Sequence, residues 1–241
     1  MVNYIGEVTP AGRCCYTFNS SVADVFGLYN GTKTDYVTYE TTAGRPWVGA
    51  HGKFNGLGDD GFAAWVSVSQ TNNWRPTTKG TWAFWMKANN DGDTDRTIWT
   101  NWYSGWYGWM IRMHSGVLQL LASPDDHGAY TFESSGTVND NAWHWHTIVF
   151  DASTSTTSFY KDGALVVADA SSPAWTADKA ITYTANMNGF IGVRQDSTNK
   201  QDYLSHNSSV NAYLKDMWIA DMAPNAPQVR WLYGIITKGL Y

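Results

Sequence analysis

Short apolar runs recur along the chain, separated by clusters of Gly, Asn, Asp, Ser and Thr. Within the runs apolar residues alternate with a period of two, the spacing of β-strands. In Thr81–Lys87, Trp82, Phe84 and Met86 share one face. In Trp109–Met113, Trp109, Ile111 and Met113 share a face while Arg112 looks away. His144, His146, Ile148 and Phe150 stand opposite Trp143, Trp145, Thr147 and Val149, so this strand is expected to be covered on both sides. Ser115-Gly116 joins Trp109–His114 to Val117–Ala122, and Asp162-Gly163 joins Thr157–Lys161 to Ala164–Ala168. Both read as tight hairpins. No long segment carries helical spacing; one short helix is expected over Pro227–Ile235, with proline at its start and Gly234 near its end. The pattern predicts an all-β chain: a jelly-roll sandwich of two antiparallel sheets with a short C-terminal helical turn.

Composition narrows the classes. A chain of 241 residues suits one large sandwich domain, and no linker, repeat or low-complexity segment divides residues 1–241. With a net charge of −5 the chain lacks the clustered cations a nucleic-acid surface needs. No apolar run reaches the roughly 18 residues of a membrane span. Met1–Pro10 has neither a basic n-region nor an apolar h-region, so no signal peptide is expected. The only cysteines, Cys14 and Cys15, are adjacent, which excludes a disulfide framework. Fourteen Trp, 14 Tyr and 9 Phe either fill a broad core or build flat surfaces for stacking.

Eight segments in order resemble one family. They are Cys15-Tyr16-Thr17-Phe18-Asn19; Asp24 to Thr32, with Gly27 and Asn30-Gly31; Lys53-Phe54-Asn55-Gly56 with Asp59, Asp60 and Phe62; Trp82 to Lys87; Trp143 to Asp151; Phe159-Tyr160-Lys161-Asp162-Gly163; Tyr213 to Ile219; and Val229-Arg230-Trp231-Leu232-Tyr233. The chain resembles a laminin-G-like domain of the concanavalin A-like lectin/glucanase superfamily. The resemblance covers nearly the whole chain and implies the same two-sheet sandwich. It says little of function, because this fold hosts lectins, hydrolases, lyases and structural modules. It also implies calcium held between the early Asp/Asn loop and the closing strand, at Asp24, Asn30 and Asp216.

Catalysis is not expected. Glycosidases need paired carboxylates, yet Glu7, Glu40 and Glu133 are the only glutamates and lie far apart in sequence. No Gly-x-Ser-x-Gly elbow occurs. Asp91-Gly92-Asp93-Thr94-Asp95 spaces carboxylates as a calcium loop begins, but without the later bidentate Glu it reads as a solvated acidic turn. His144 and His146 share a face that could bind zinc; with no third ligand in view they read as a packed, hydrogen-bonded pair. Trp102, Tyr103, Trp106 and Tyr107, interrupted by Gly105 and Gly108, form an aromatic patch, and Trp74 is a further candidate. Such rings suit the C–H faces of sugars, and equally a sheet edge or a subunit interface.

The resemblance extends to decoration and fibre proteins of tailed bacteriophages. That setting reconciles a mostly extracellular family with a chain lacking signal peptide and disulfides. The expected role is a non-enzymatic virion surface protein, synthesised in the host cytoplasm and placed on a phage capsid or tail. Its partners would be other virion proteins, copies of itself as a trimer, and host or environmental polysaccharide. Residues 1–12 and 234–241 are the expected docking arms, the latter carrying Ile235, Ile236, Leu240 and Tyr241. The alternatives are a free carbohydrate-binding lectin or adhesin and, in third place, a polysaccharide hydrolase or lyase.

Overall fold

A computed structural model describes residues 12–27, 29–41, 49–56, 63–68, 75–88, 95–103, 107–124, 130–134, 136–170, 175, 179–183, 188–194 and 209–238. In chain order the strands are β1 (Gly12–Tyr16), β2 (Gly31–Lys33), β3 (Val37–Glu40), β4 (His51–Asn55) and β5 (Val66–Val68). There follow β6 (Lys79–Ala88), β7 (Arg96–Tyr103), β8 (Tyr107–His114), β9 (Val117–Ser123) and β10 (Tyr130–Glu133). The last are β11 (His144–Asp151), β12 (Thr156–Lys161), β13 (Ala164–Ala170), β14 (Gly189–Ile191) and β15 (Asn211–Ala220), before the C-terminal helix α1 (Ala226–Thr237). An eight-stranded sheet runs β13-β12-β11-β6-β15-β4-β3, with β1 added to β15; a seven-stranded sheet runs β10-β9-β8-β7-β14-β5-β2. All pairings between strands are antiparallel, and the sandwich is the one the alternation pattern predicts.

The period-two pattern sorts residues between the faces. Trp82, Phe84 and Met86 of β6 and Trp109, Ile111 and Met113 of β8 turn inward and are buried. Trp82 from one sheet meets Trp109 from the other with ring centroids 5.1 Å apart, and Trp99 stands edge-on to Trp109 at 5.6 Å. The two hairpin turns form as expected: Ser115-Gly116 and Asp162-Gly163 all have positive φ, which matches the twist of the flanking strands.

The outer face of the larger sheet is covered too. Ala83, Trp85, Trp145 and Ile236 form a second buried cluster with Trp143, Trp218 and Tyr233 against it. This is why β11 reads as apolar on both faces: α1 lies over it. The helix starts one residue earlier and ends two later than expected. A capping box sets its start, with Gln228 N donating to Asn225 Oδ1 at 3.1 Å and Asn225 N to Gln228 Oε1 at 2.8 Å. Gly234 to Thr237 therefore belong to the helix, and Ile236 docks on this chain's own sheet. The expected arm over 1–12 lies, except for Gly12, outside the described residues, as do Gly239, Leu240 and Tyr241.

Gly192, just after β14, has φ +93°, and an added Cβ would lie 2.6 Å from Ala64 O and 2.6 Å from Phe54 Cδ1. Backbone carbonyl and core ring cannot both yield. Gly192→Ala is expected to cost about 3 kcal/mol, read as a lower midpoint in urea unfolding; an unchanged midpoint contradicts that packing.

Candidate lectin face

The outer face of the smaller sheet carries the polar chemistry. Because Trp109, Ile111 and Met113 face the core, Met110, Arg112 and His114 face outward. The register sets Arg112 beside Gln119 of β9, and Gln119 beside Glu133 of β10. Their side chains form one row across the strands. Gln119 Nε2 donates to Glu133 Oε2 at 2.6 Å, Arg112 Nε donates to Gln119 Oε1 at 2.7 Å, and Arg112 Nη1 donates to Asp95 Oδ2 at 2.5 Å. His114 Nδ1 pairs with the other oxygen of Asp95.

The row alternates acceptors and donors. Gln119 is buried, Arg112 half-buried and Glu133 exposed. Burial lowers the affinity of Arg112 for its proton, and the Asp95 carboxylate opposes that. Exposed Arg194, beyond β14, is close enough to repel Arg112 and so adds a cation to this face.

A second, apolar row runs beside the first. Met110 and Leu121, each two residues along its strand from Arg112 or Gln119, pack with Trp102 of β7. Of the aromatic patch expected from sequence, Trp102 is buried at 3 % exposure, so its ring supports the face instead of offering a free stacking surface. Tyr107 is half-buried at the start of β8. Tyr103 pairs with Tyr107 through the backbone at the end of β7. The Tyr103 side chain, Trp106 and Trp74 lie outside the described residues. From the sequence, Arg112 reads as outward-facing, Asp95 as the last carboxylate of a solvated acidic turn, and Glu133 as a glutamate far from the other two. The signal that joins Arg112 to Gln119 was present: the two are equidistant from the Ser115-Gly116 turn, so a two-residue hairpin must pair them.

The residues expected to hold calcium do not form a ligand set. Asp24 and Asp216 both approach the Cys15 thiol. Asp24 spends its carboxylate on backbone amides: Cys15 N and Phe26 N donate to Oδ1 at 2.8 and 3.3 Å, and Tyr29 N to Oδ2 at 3.1 Å. Asn30 is exposed, and its Oδ1 accepts from Asp24 N at 3.1 Å. Asp216 stands 3.5 Å from the Lys215 ammonium. Asp24 and Asn30 thus brace their own loop through its amides, and the set does not fit a calcium cage. Among the described residues no group of three or more His, Cys, Asp or Glu is placed to hold a metal. Burial, then the Asp216 and Asp24 charges, push the Cys15 thiol up, away from thiolate reactivity.

The histidine pair is packed into the sheet, with hydrogen bonds at His144. His144 lies between two carboxylates, Nδ1 at 2.6 Å from Asp162 Oδ2 and Nε2 at 3.1 Å from Asp140 Oδ2. Asp162 Oδ1 also accepts from Trp145 N at 2.9 Å, which ties the β12–β13 turn to β11. His146 is buried beside Phe84, and burial lowers its pKa to about 3.

Residues 59–230, which include the whole polar row, match the laminin G-like family described as concanavalin A-like lectin/glucanases superfamily. The chain belongs to that family. Solved structures resemble this laminin G-like chain over most of its length. The binding domain of Paraclostridial Mosquitocidal Protein 1 has TM-score 0.70 and 13% identity, over 92% of this chain and 51% of that one. A structure of botulinum neurotoxin type C, whose cell entry depends on interaction with two ganglioside molecules, has TM-score 0.68 and 14% identity, over 95% of this chain and 52% of that one. The binding domain of botulinum neurotoxin DC in complex with SialylT has TM-score 0.65 and 15% identity, over 93% and 51%. At such identities the likeness establishes the fold alone, and the chain spans about half the length of these proteins. No curated protein matches the laminin G-like chain by sequence. Among the described residues, no helix is long and apolar enough to cross a membrane.

Proposed function

We propose that this laminin G-like domain is a non-enzymatic glycan-binding module, and that the outer face of its smaller sheet is the binding surface. The observation that carries the reading is the continuous row Asp95–Arg112–Gln119–Glu133. Sugars are recognised by planar carboxylate, amide and guanidinium groups that donate and accept together at fixed spacing. A row already tied into hydrogen bonds is held in place before ligand arrives, which reduces the ordering cost of binding. Exposed Arg194 adds a charge suited to an acidic sugar. The proteins of similar fold, one a toxin whose cell entry depends on two ganglioside molecules and one a binding domain in complex with SialylT, support a carbohydrate reading without locating the site here.

The arrangement favours binding over hydrolysis. Asp95 and Glu133 sit on backbones three strand spacings apart, about 14 Å, whereas paired catalytic carboxylates stand ~5–10 Å apart. Arg112 and Gln119 lie between them, and both oxygens of Asp95 are engaged. A virion setting belongs to the same proposal. It is supported by Cys14 and Cys15, which are thiols and not joined in a disulfide, as in a protein folded in a reducing cytoplasm.

The test is a glycan array of neutral and sialylated sugars, followed by titration calorimetry on any hit. Arg112→Ala is expected to weaken binding by at least about 10-fold, since it removes two hydrogen bonds and a charge from the row. Wild-type affinity in a folded Arg112→Ala protein overturns the assignment of this face. Release of reducing sugar from a bound polysaccharide overturns the non-enzymatic reading.

A further inference from the structure

Lys215 is 3 % exposed, and its ammonium meets oxygens from three parts of the chain. Nζ donates to Ala50 O at 3.1 Å and to Thr17 O at 3.4 Å, and stands 3.5 Å from Asp216 Oδ1. Thr17 follows β1, Ala50 precedes β4, and Lys215 and Asp216 lie in β15, so one charge ties together three neighbouring strands. Asp216 reaches this point through a break in the β15–β6 register between Lys215 and Trp218, with its own φ at +47°. A non-glycine residue in that region is strained and persists only where its surroundings hold it there.

Two carbonyls and a carboxylate from distant segments, converging on one buried positive charge, are the oxygen donors a hard cation takes. We propose that the Lys215 ammonium is a built-in cation that does the work of a structural calcium ion in this chain. Asp24 and Asn30 accept instead from backbone amides around their own loop. A divalent ion placed among the same oxygens would face the ammonium at a few ångströms, where like charges repel strongly in a buried site. A covalently attached cation also costs no search from solution, so these strands are joined at any calcium concentration.

The test is calorimetric unfolding of the whole chain in millimolar EDTA and in millimolar calcium chloride. Wild-type melting temperatures are expected to agree within about 1 °C, because no binding free energy to the folded state is lost with the metal; a fall in EDTA overturns the proposal. Lys215→Ala is expected to melt about 10 °C lower and to regain several degrees in calcium, since the oxygens it exposes are then open to the ion. A variant that melts like wild type, or one that ignores calcium, overturns it. Lys215→Arg keeps the charge and is expected to melt about 5 °C lower at most, with no response to calcium. A calcium response in that variant overturns it too.

Discussion

Trp109→Ala is expected to lower stability by about 4 kcal/mol, the range for truncating a buried tryptophan. The indole is fully buried and touches both Trp82 from the opposite sheet and Trp99 from its own. Two losses combine: the transfer free energy of a large apolar side chain, and a cavity at the contact between sheets that backbone ladders on both sides prevent from closing. In a chain of this length such a loss lowers the melting temperature by about 10 °C, and it consumes a large part of the ~5–15 kcal/mol that domains possess. Urea unfolding checks it, with a lower midpoint and an unchanged slope. Trp231→Ala, on the exposed side of α1, is the comparison and is expected to stay within about 0.5 kcal/mol. If the two variants lose equal stability, the sheets are not locked through this stack.

Acid is expected to destabilise the protein from about pH 6.5 downward, through His146. In the unfolded chain the imidazole titrates near its ordinary value of 6.5; in the fold burial lowers it to about 3. Between those values the unfolded chain binds a proton that the folded chain does not. Stability therefore falls as pH falls, at about 1.4 kcal/mol per pH unit. Above pH 6.5 the imidazole is neutral in both states and contributes no slope. The groups that face it reinforce or only partly offset the effect. His144 and Lys161 disfavour its charge, Asp140 favours it, and Phe84 offers no acceptor. Unfolding midpoints measured at pH 7 and pH 5 read the slope, and His146→Leu is expected to flatten it. At lower pH the carboxylates of Asp140 and Asp151 take over. Burial opposes their shift, but hydrogen bonds from Ala142 and Lys161, and from Ser153 and Lys79, hold both below the ordinary carboxylate value. Their contribution is present above that value and is lost as pH falls through it. An equal acid loss in His146→Leu would assign the slope to other groups.

The division between what was legible in the chain and what was not follows the range of the interactions. The Ser115-Gly116 and Asp162-Gly163 turns, the inward face of β8 and a short helix beginning near Pro227 were readable, because turn geometry, pleat and a proline start are settled within a few residues. The family resemblance brought the sandwich as a whole. Strand order did not follow from these local rules. β6 lies between β11 and β15, neighbours remote in sequence, and only the burial of Trp82, Phe84 and Met86 against the opposite sheet selects that place.

The sites followed the same rule. Trp102 reads as part of a loop-borne patch, because Gly105 and Gly108 follow closely. The register of β7 against β8 instead puts it beneath Met110 and Leu121. The family resemblance implies calcium at Asp24, Asn30 and Asp216; in the fold two of them brace a loop and the third faces Lys215. Lys215 itself carried no signal, since a lysine in a strand is ordinarily exposed. By itself the sequence determined what short range decides: turns, alternation, one helix, an acidic thiol-only chain and hence an all-β domain. Only the tertiary structure decided which distant side chains share a face. The polar row and the buried ammonium each join segments far apart in the chain, and such contacts form only where packing and register align several strands at once.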